Sequence, residues 1–238
     1  MTLLEFVVAA AAAALGALVQ GSVGVGLSLV AVPLLLLIDP SFVPGPVLCV
    51  AIVLTLLLSH RERRSIDFHG VAWVLVGRLP GTLLGAAALV MLAGDVLTVL
   101  FGVLVLLAVA FSSFRVKVEP KRWSLASVGV LSGFMGTTAA LGGPPVALLL
   151  QNMPGARLRG TLSGIFLVGS SVALLALVAV SRFGRHELIL ALALLPGILL
   201  GFGISGFTAS FLDRGYTRTV VLVVASGAAL VAIGRQVL

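Results

Sequence analysis

One arginine, Arg78, stands alone inside the apolar run from Phe68 to Gly94, and the acids bounding that run, Asp67 and Asp95, lie at its two ends. At membrane depth a charge costs at least about 2.5–3.5 kcal/mol, so such residues are rare and usually functional. A guanidinium with no acid in its own span is a cation ready for an anionic substrate. The competing role is structural: an arginine that snorkels to the interface or pairs with backbone carbonyls.

Two glycine-rich stretches could do related chemistry. They are Gln20-Gly21-Ser22-Val23-Gly24-Val25-Gly26 and Gly136-Thr137-Thr138-Ala139-Ala140-Leu141-Gly142-Gly143-Pro144-Pro145. Glycine permits backbone forms closed to other residues, and proline removes an N–H and blocks continuation of a helix. Each stretch therefore reads as unwound backbone between two helical pieces. Non-helical backbone survives in a bilayer only inside protein or beside a water-filled cavity, and the freed N–H groups and half-helix N-termini suit an anion. Polar side chains nearby are Gln20, Ser22 and Ser28, and Ser132, Thr137 and Thr138. The candidate anion-binding set is Gln20, Gly21, Ser22, Gly24, Gly26, Arg78, Gly136, Thr137, Thr138, Gly142, Gly143 and Pro144. The competing reading is close helix packing through small residues, which is the preferred one for Gly85 and Gly201.

Other chemistries lack their parts. Asp39, Asp67, Asp95 and Glu187 sit at run ends, so no buried carboxylate offers a proton relay. His60, His69 and His186 flank loops, leaving no deep nucleophile–base pair for an intramembrane hydrolase. No Cys/His/carboxylate metal cluster, phosphate-cradling loop or arginine ladder is visible, and Cys49 is the single cysteine. Neither cofactor nor metal is expected, and no catalysis.

The elements that must hold these residues are membrane helices. The chain is 60% hydrophobic and only 10% charged, far below the roughly 25% charge of a soluble domain. Between charges lie eight apolar runs: Phe6 to Ile38, Pro40 to His60, Phe68 to Gly94, Val96 to Phe114, Trp123 to Ala156, Gly160 to Ser181, Leu188 to Leu212 and Thr219 to Gly234. Spans of about 20 apolar residues make helices, not alternating barrel strands. The 15 Lys and Arg fall mostly in the breaks between runs, where orientation signals belong, so the +7 charge does not point to nucleic acid. The N-terminus lacks the basic start of a cleaved signal peptide, and the first run reads as part of the mature protein.

The eight runs form one pattern of lengths repeated twice. Gly21, Gly24, Leu29, Pro33, Leu36 and Leu37 recur 112 positions later as Gly133, Gly136, Leu141, Pro145, Leu148 and Leu149. Pro80-Gly-Thr-Leu-Leu-Gly85 returns as Pro196-Gly-Ile-Leu-Leu-Gly201. The expected organisation is a first repeat over 1–114, a polar linker over 115–123 and a second repeat over 124–238, packed as one transport domain around a shared site. Leu194 is the counterpart of Arg78, so that site is asymmetric. As one straight helix the first run would be about 50 Å long, too long for one span. If the first run of each half is a helical hairpin, each half makes an odd number of passes and the repeats are inverted. If it crosses once, they are parallel. Run length favours the inverted arrangement.

The stretch Gly16-Ala-Leu-Val-Gln20-Gly21-Ser22-Val-Gly24-Val-Gly26, the later Gly133-Phe-Met-Gly136 and Leu141-Gly142-Gly143-Pro144-Pro145, and the Pro-Gly-x-Leu-Leu-Gly repeats together resemble the TauE/SafE sulfite-exporter family over nearly the whole chain. The resemblance implies a bacterial inner-membrane permease for small, often sulfur-containing anions such as sulfite, sulfoacetate and other organosulfonates. It points to the regions Gln20–Gly26 and Thr137–Pro145 as its site. The expectation is an all-α multi-pass secondary transporter working as an exporter. Its alternatives are an anion channel and an intramembrane structural subunit or enzyme. Its expected partners are a small anion and membrane lipid, not nucleic acid, with a homodimer left open.

Overall fold

Thr2 starts the first helix by a reciprocal cap. Its hydroxyl accepts the Glu5 N–H at 3.2 Å while the Glu5 carboxylate accepts the Thr2 N–H at 2.8 Å. From there the computed structural model describes residues 2–113 and 119–212. Among the described residues are nine α-helices and no strand: α1 (Leu3–Val23), α2 (Leu27–Ile38), α3 (Gly45–Arg61), α4 (Phe68–Met91), α5 (Gly94–Ser113), α6 (Arg122–Ala139), α7 (Gly143–Leu150), α8 (Gly155–Ala179) and α9 (Arg185–Leu212). Segments of α1, α4, α8 and α9 are long and apolar enough to cross a membrane. The eighth apolar run, Thr219 to Gly234, lies outside the described residues. The described residues are all-α, and the chain is a multi-pass membrane protein.

Both long runs are broken, though over shorter stretches than the sequence led us to expect. The first break is Gly24–Gly26 and the second Ala140–Gly142. Gly21 to Val23 and Gly136 to Ala139 stay helical because their N–H groups keep intrahelical partners. Gly24 ends α1 in the left-handed region (φ 98°), its N–H bonded to the Gln20 carbonyl at 2.7 Å. Ala140 ends α6 the same way (φ 57°), with its N–H on Gly136 and that of Leu141 on Met135. A left-handed alanine costs roughly 1–2 kcal/mol more than glycine there. Pro144 and Pro145 do not stop a helix. They stand in the first turn of α7, where no N–H partner is needed.

The two breaks lie 116 positions apart, as do Pro80 and Pro196. The six matches at 112 are therefore one helical turn out of structural register. After each break the chain turns back. A Cβ on Gly16 would stand 2.8 Å from the Leu27 carbonyl oxygen, and one on Gly142 would stand 2.6 Å from that of Ser132. So α2 starts beside α1, and α7 beside α6.

Lipid gives helices no hydrophobic drive to associate, so close backbone approach through small residues does that work. Gly77 and Gly81 of α4 face Ala126 and Val130 of α6, with Cβ positions 1.9 and 2.0 Å from the carbonyl oxygens. Gly197 and Gly201 of α9 face Ala10 and Ala14 of α1 at 2.1 and 2.2 Å. Both pairs run parallel, since the numbers rise together. Each joins a helix from residues 1–114 to one from residues 119–212. At one end of the molecule, Arg61 of α3 donates to Ser205 of α9 at 3.0 Å, and Ser22 of α1 meets Thr208 of α9 at 3.0 Å. There Arg157 of α8 also meets Asp67 at the start of α4 at 3.1 Å. Towards this end run α1, α3 and α9; α4, α6 and α8 run away from it. Finally, α6 begins at Arg122, so the last two residues assigned to the polar linker are helical. Arg122 lies over the Trp73 ring at 5.5 Å.

Candidate anion-binding site

Both breaks open onto one cavity. Gln20, Val25 and Ser28 line it from the first, and Gly136, Ala140, Gly142 and Gly143 from the second. Leu48 and Ala51 of α3, Phe166 and Ser170 of α8, and Arg78 of α4 complete the wall. The cavity's volume is about 30 Å³, of the order that holds a water molecule or two. A larger solute requires the walls to part.

Arg78 is 3% exposed, and among the described residues no carboxylate pairs with it. Its Nη1 donates to the Ser132 hydroxyl at 2.9 Å, and that hydroxyl donates onward to the Gly142 carbonyl at 2.6 Å. The guanidinium lies 5.9 Å from the centre of the Phe166 ring, within cation–π range. Among the described residues its Nε has no hydrogen-bond partner. Gly169 of α8 leaves the room the guanidinium fills: a Cβ there would stand 2.3 Å from Nε and 2.4 Å from Cζ. Gly136 does the same more loosely, at 3.0 Å from Nη2. A buried, uncompensated cation with an idle donor is costly unless an anion completes it.

Gln20 has a structural task as well. Its Oε1 accepts the Leu27 N–H at 3.1 Å and so caps the first turn of α2. Gln20→Ala should leave that buried donor without a partner, at a cost of about 1–3 kcal/mol. A thermal melt of the variant checks this; an unchanged melting temperature would remove the cap from the account.

Of the sequence-derived candidates, the structure brings Gln20, Arg78, Gly136, Gly142 and Gly143 to the cavity wall. The others lie off it, chiefly because α1 and α6 stay helical and each residue turns about 100° from the last. Gly21 packs on Ser205, and its carbonyl accepts from Arg61. Ser22 returns its hydroxyl to Leu18, Gly24 abuts Arg159, and Gly26 packs on Val19. Thr138 bonds back to Phe134, while the Thr137 hydroxyl is buried without a partner among the described residues. Pro144 has no N–H to offer; with Pro145 it strips two of the donors that the start of α7 would otherwise present. Sequence reasoning missed Phe166, Gly169 and Ser170. Their only signal was a Gly-Ser-Ser patch, Gly169 to Ser171, in the middle of the run from Gly160 to Ser181.

At the end of α1, Glu62 bridges Arg61 at 3.5 Å and Arg159 at 3.1 Å. These arginines also donate to the carbonyls of Gly21 and Ser22. Cations thus sit on the C-terminal, negative end of α1.

No curated protein and no solved structure matches the chain. The family model for "Sulfite exporter TauE/SafE" matches residues 8–232. Because that match takes in both breaks, Arg78 and every residue of the cavity wall, the chain belongs to the sulfite exporter TauE/SafE family, whose members are membrane transporters of anions and not enzymes.

Proposed function

We propose that this chain is a secondary transporter of the bacterial inner membrane that exports a small sulfur-containing anion, sulfite, sulfoacetate or another organosulfonate. The anion binds against Arg78 between the two broken helices. The observation that carries this reading is the buried Arg78 guanidinium, which lines the cavity with an unpartnered Nε and no carboxylate among the described residues. A negative-inside potential drives anion exit by about 2.3 kcal/mol per charge per 100 mV, so export needs no buried proton relay. The starts of α2 and α7 add positive partial charge near the site.

The two repeats, 1–114 and 124–238, are read as inverted. In support, α1 and α6 run in opposite directions, as do the pairs α3 and α8, and α4 and α9. Breaks in corresponding places facing one cavity are how such repeats build a midplane site.

Proteoliposome flux tests the function. Sulfite or sulfoacetate efflux should saturate and speed up with the same anion on the far side. A saturating anion should also raise the melting temperature of the purified protein, as any ligand that binds only the folded state does. Taurine zwitterion moving as fast as sulfoacetate would defeat the anion reading, and flux that never saturates would make the protein a channel.

A further inference from the structure

We propose that Gly169 is a positioning residue for anion binding: the bare backbone of α8 forms one wall of a slot that fixes Arg78 with its Nε and Nη2 edge presented to the ligand. This rests on the reading of Arg78 as the anion's partner. Three observations define the slot. Gly169 lies so close that a Cβ would fall 2.3 Å from Nε, 2.4 Å from Cζ and 2.7 Å from Nη2, all well inside contact distance. Phe166, one turn earlier on the same helix, meets the guanidinium through its ring. The Ser132 hydroxyl holds Nη1 and is itself anchored on Gly142, so the group cannot rotate freely in its plane. What remains is Nε, buried and without a partner among the described residues, and Nη2, beside Gly136 on the cavity wall. Two parallel N–H donors on one edge of a fixed plane match two oxygens of a sulfur oxyanion or a carboxylate. Alanine at 169 would push the plane aside and break that match while keeping the charge.

A double-mutant cycle on the full-length purified protein tests the proposal, with sulfite as titrant. Gly169→Ala should weaken sulfite binding by at least about tenfold, and Gly136→Ala, whose Cβ would stand 3.0 Å from Nη2 and 3.5 Å from the Gly142 Cα, by less. In an Arg78→Lys background, Gly169→Ala should change affinity by less than about threefold, because an unbranched ammonium has no plane to displace. A glycine that matters only for helix packing would cost the same in both backgrounds, and that result overturns the proposal. Should Gly169→Ala alone fail to purify, the double variant decides. Its recovery as folded protein supports the slot, and its failure too makes Gly169 a packing residue. If wild-type protein binds neither sulfite nor sulfoacetate, the anion reading of Arg78 fails first and takes this proposal with it. Wild-type binding that survives Gly169→Ala unchanged defeats the slot alone.

Discussion

Arg78→Met should raise the melting temperature and abolish anion binding in the same preparation. The two effects share one cause. A cation that is 3% exposed, with an unpartnered Nε and no carboxylate among the described residues, is held out of water against its desolvation cost. Replacing buried charge with apolar volume commonly stabilises by roughly 1–4 kcal/mol, and methionine is long and flexible enough to fill the slot. Ser132 keeps its bond to the Gly142 carbonyl, so no new buried donor is stranded. Binding should meanwhile weaken by at least about thirtyfold, the lower end of what truncating a desolvated charge contact costs. Arg78→Lys should recover only part of that affinity, since it keeps the charge and loses the fork. Near-normal sulfite affinity in Arg78→Met would remove Arg78 from the site. Lost binding with a lower melting temperature would make it a support of the fold.

Arg78 could be found from sequence because a lone cation in an apolar run is expensive wherever the helix turns. The breaks could be found too, since glycines and prolines clustered inside runs too long for one span leave few other readings. Their positions could not. Gly21 and Gly24 look equivalent on paper, yet only Gly24 leaves the helix, in a left-handed turn closed on the Gln20 carbonyl. In the second half that place is taken by Ala140, a residue with no conformational signature. Gly169 was illegible for a different reason. Any glycine in a membrane helix reads as packing until the third dimension brings an arginine from another helix against it.

The two breaks are alike in shape and unlike in chemistry. At the first, Gln20 spends its amide oxygen on the Leu27 N–H. At the second, the Pro144–Pro145 pair removes donors from α7, and Ser132 links the Gly142 carbonyl to Arg78. Backbone donors alone are therefore sparse here, which places the burden of holding an anion on the arginine. The Arg78–Ser132–Gly142 chain also ties that arginine to the break of the second half only. Leu194, 116 positions after Arg78, has no side-chain donor for such a chain.

The helix seams give the second large effect, and two glycines of α9 isolate it. Gly201→Ala should destabilise the protein strongly while Gly203→Ala leaves it unchanged or slightly better. At Gly201 a methyl would stand 2.2 Å from the Ala14 carbonyl oxygen and 2.9 Å from the Ala17 Cβ. The first obstacle is the backbone of α1, which cannot rotate away as a side chain can, so α1 and α9 must separate along the seam. Overpacking of this kind costs about 1–3 kcal/mol, occasionally more, a fall of roughly 2–12 °C in melting temperature for a chain of this size. A Cβ on Gly203 would meet nothing within 4 Å among the described residues outside its own helix backbone, so alanine there gains only its better helix propensity, worth up to about 1 kcal/mol. Both substitutions add the same methyl to the same helix two residues apart, so composition and general helix stability cancel in the comparison. Thermal melts of the detergent-purified variants measure it directly. Equal melting temperatures would mean that the α1–α9 seam does not set the stability of this fold, and that the small residues along it need another explanation.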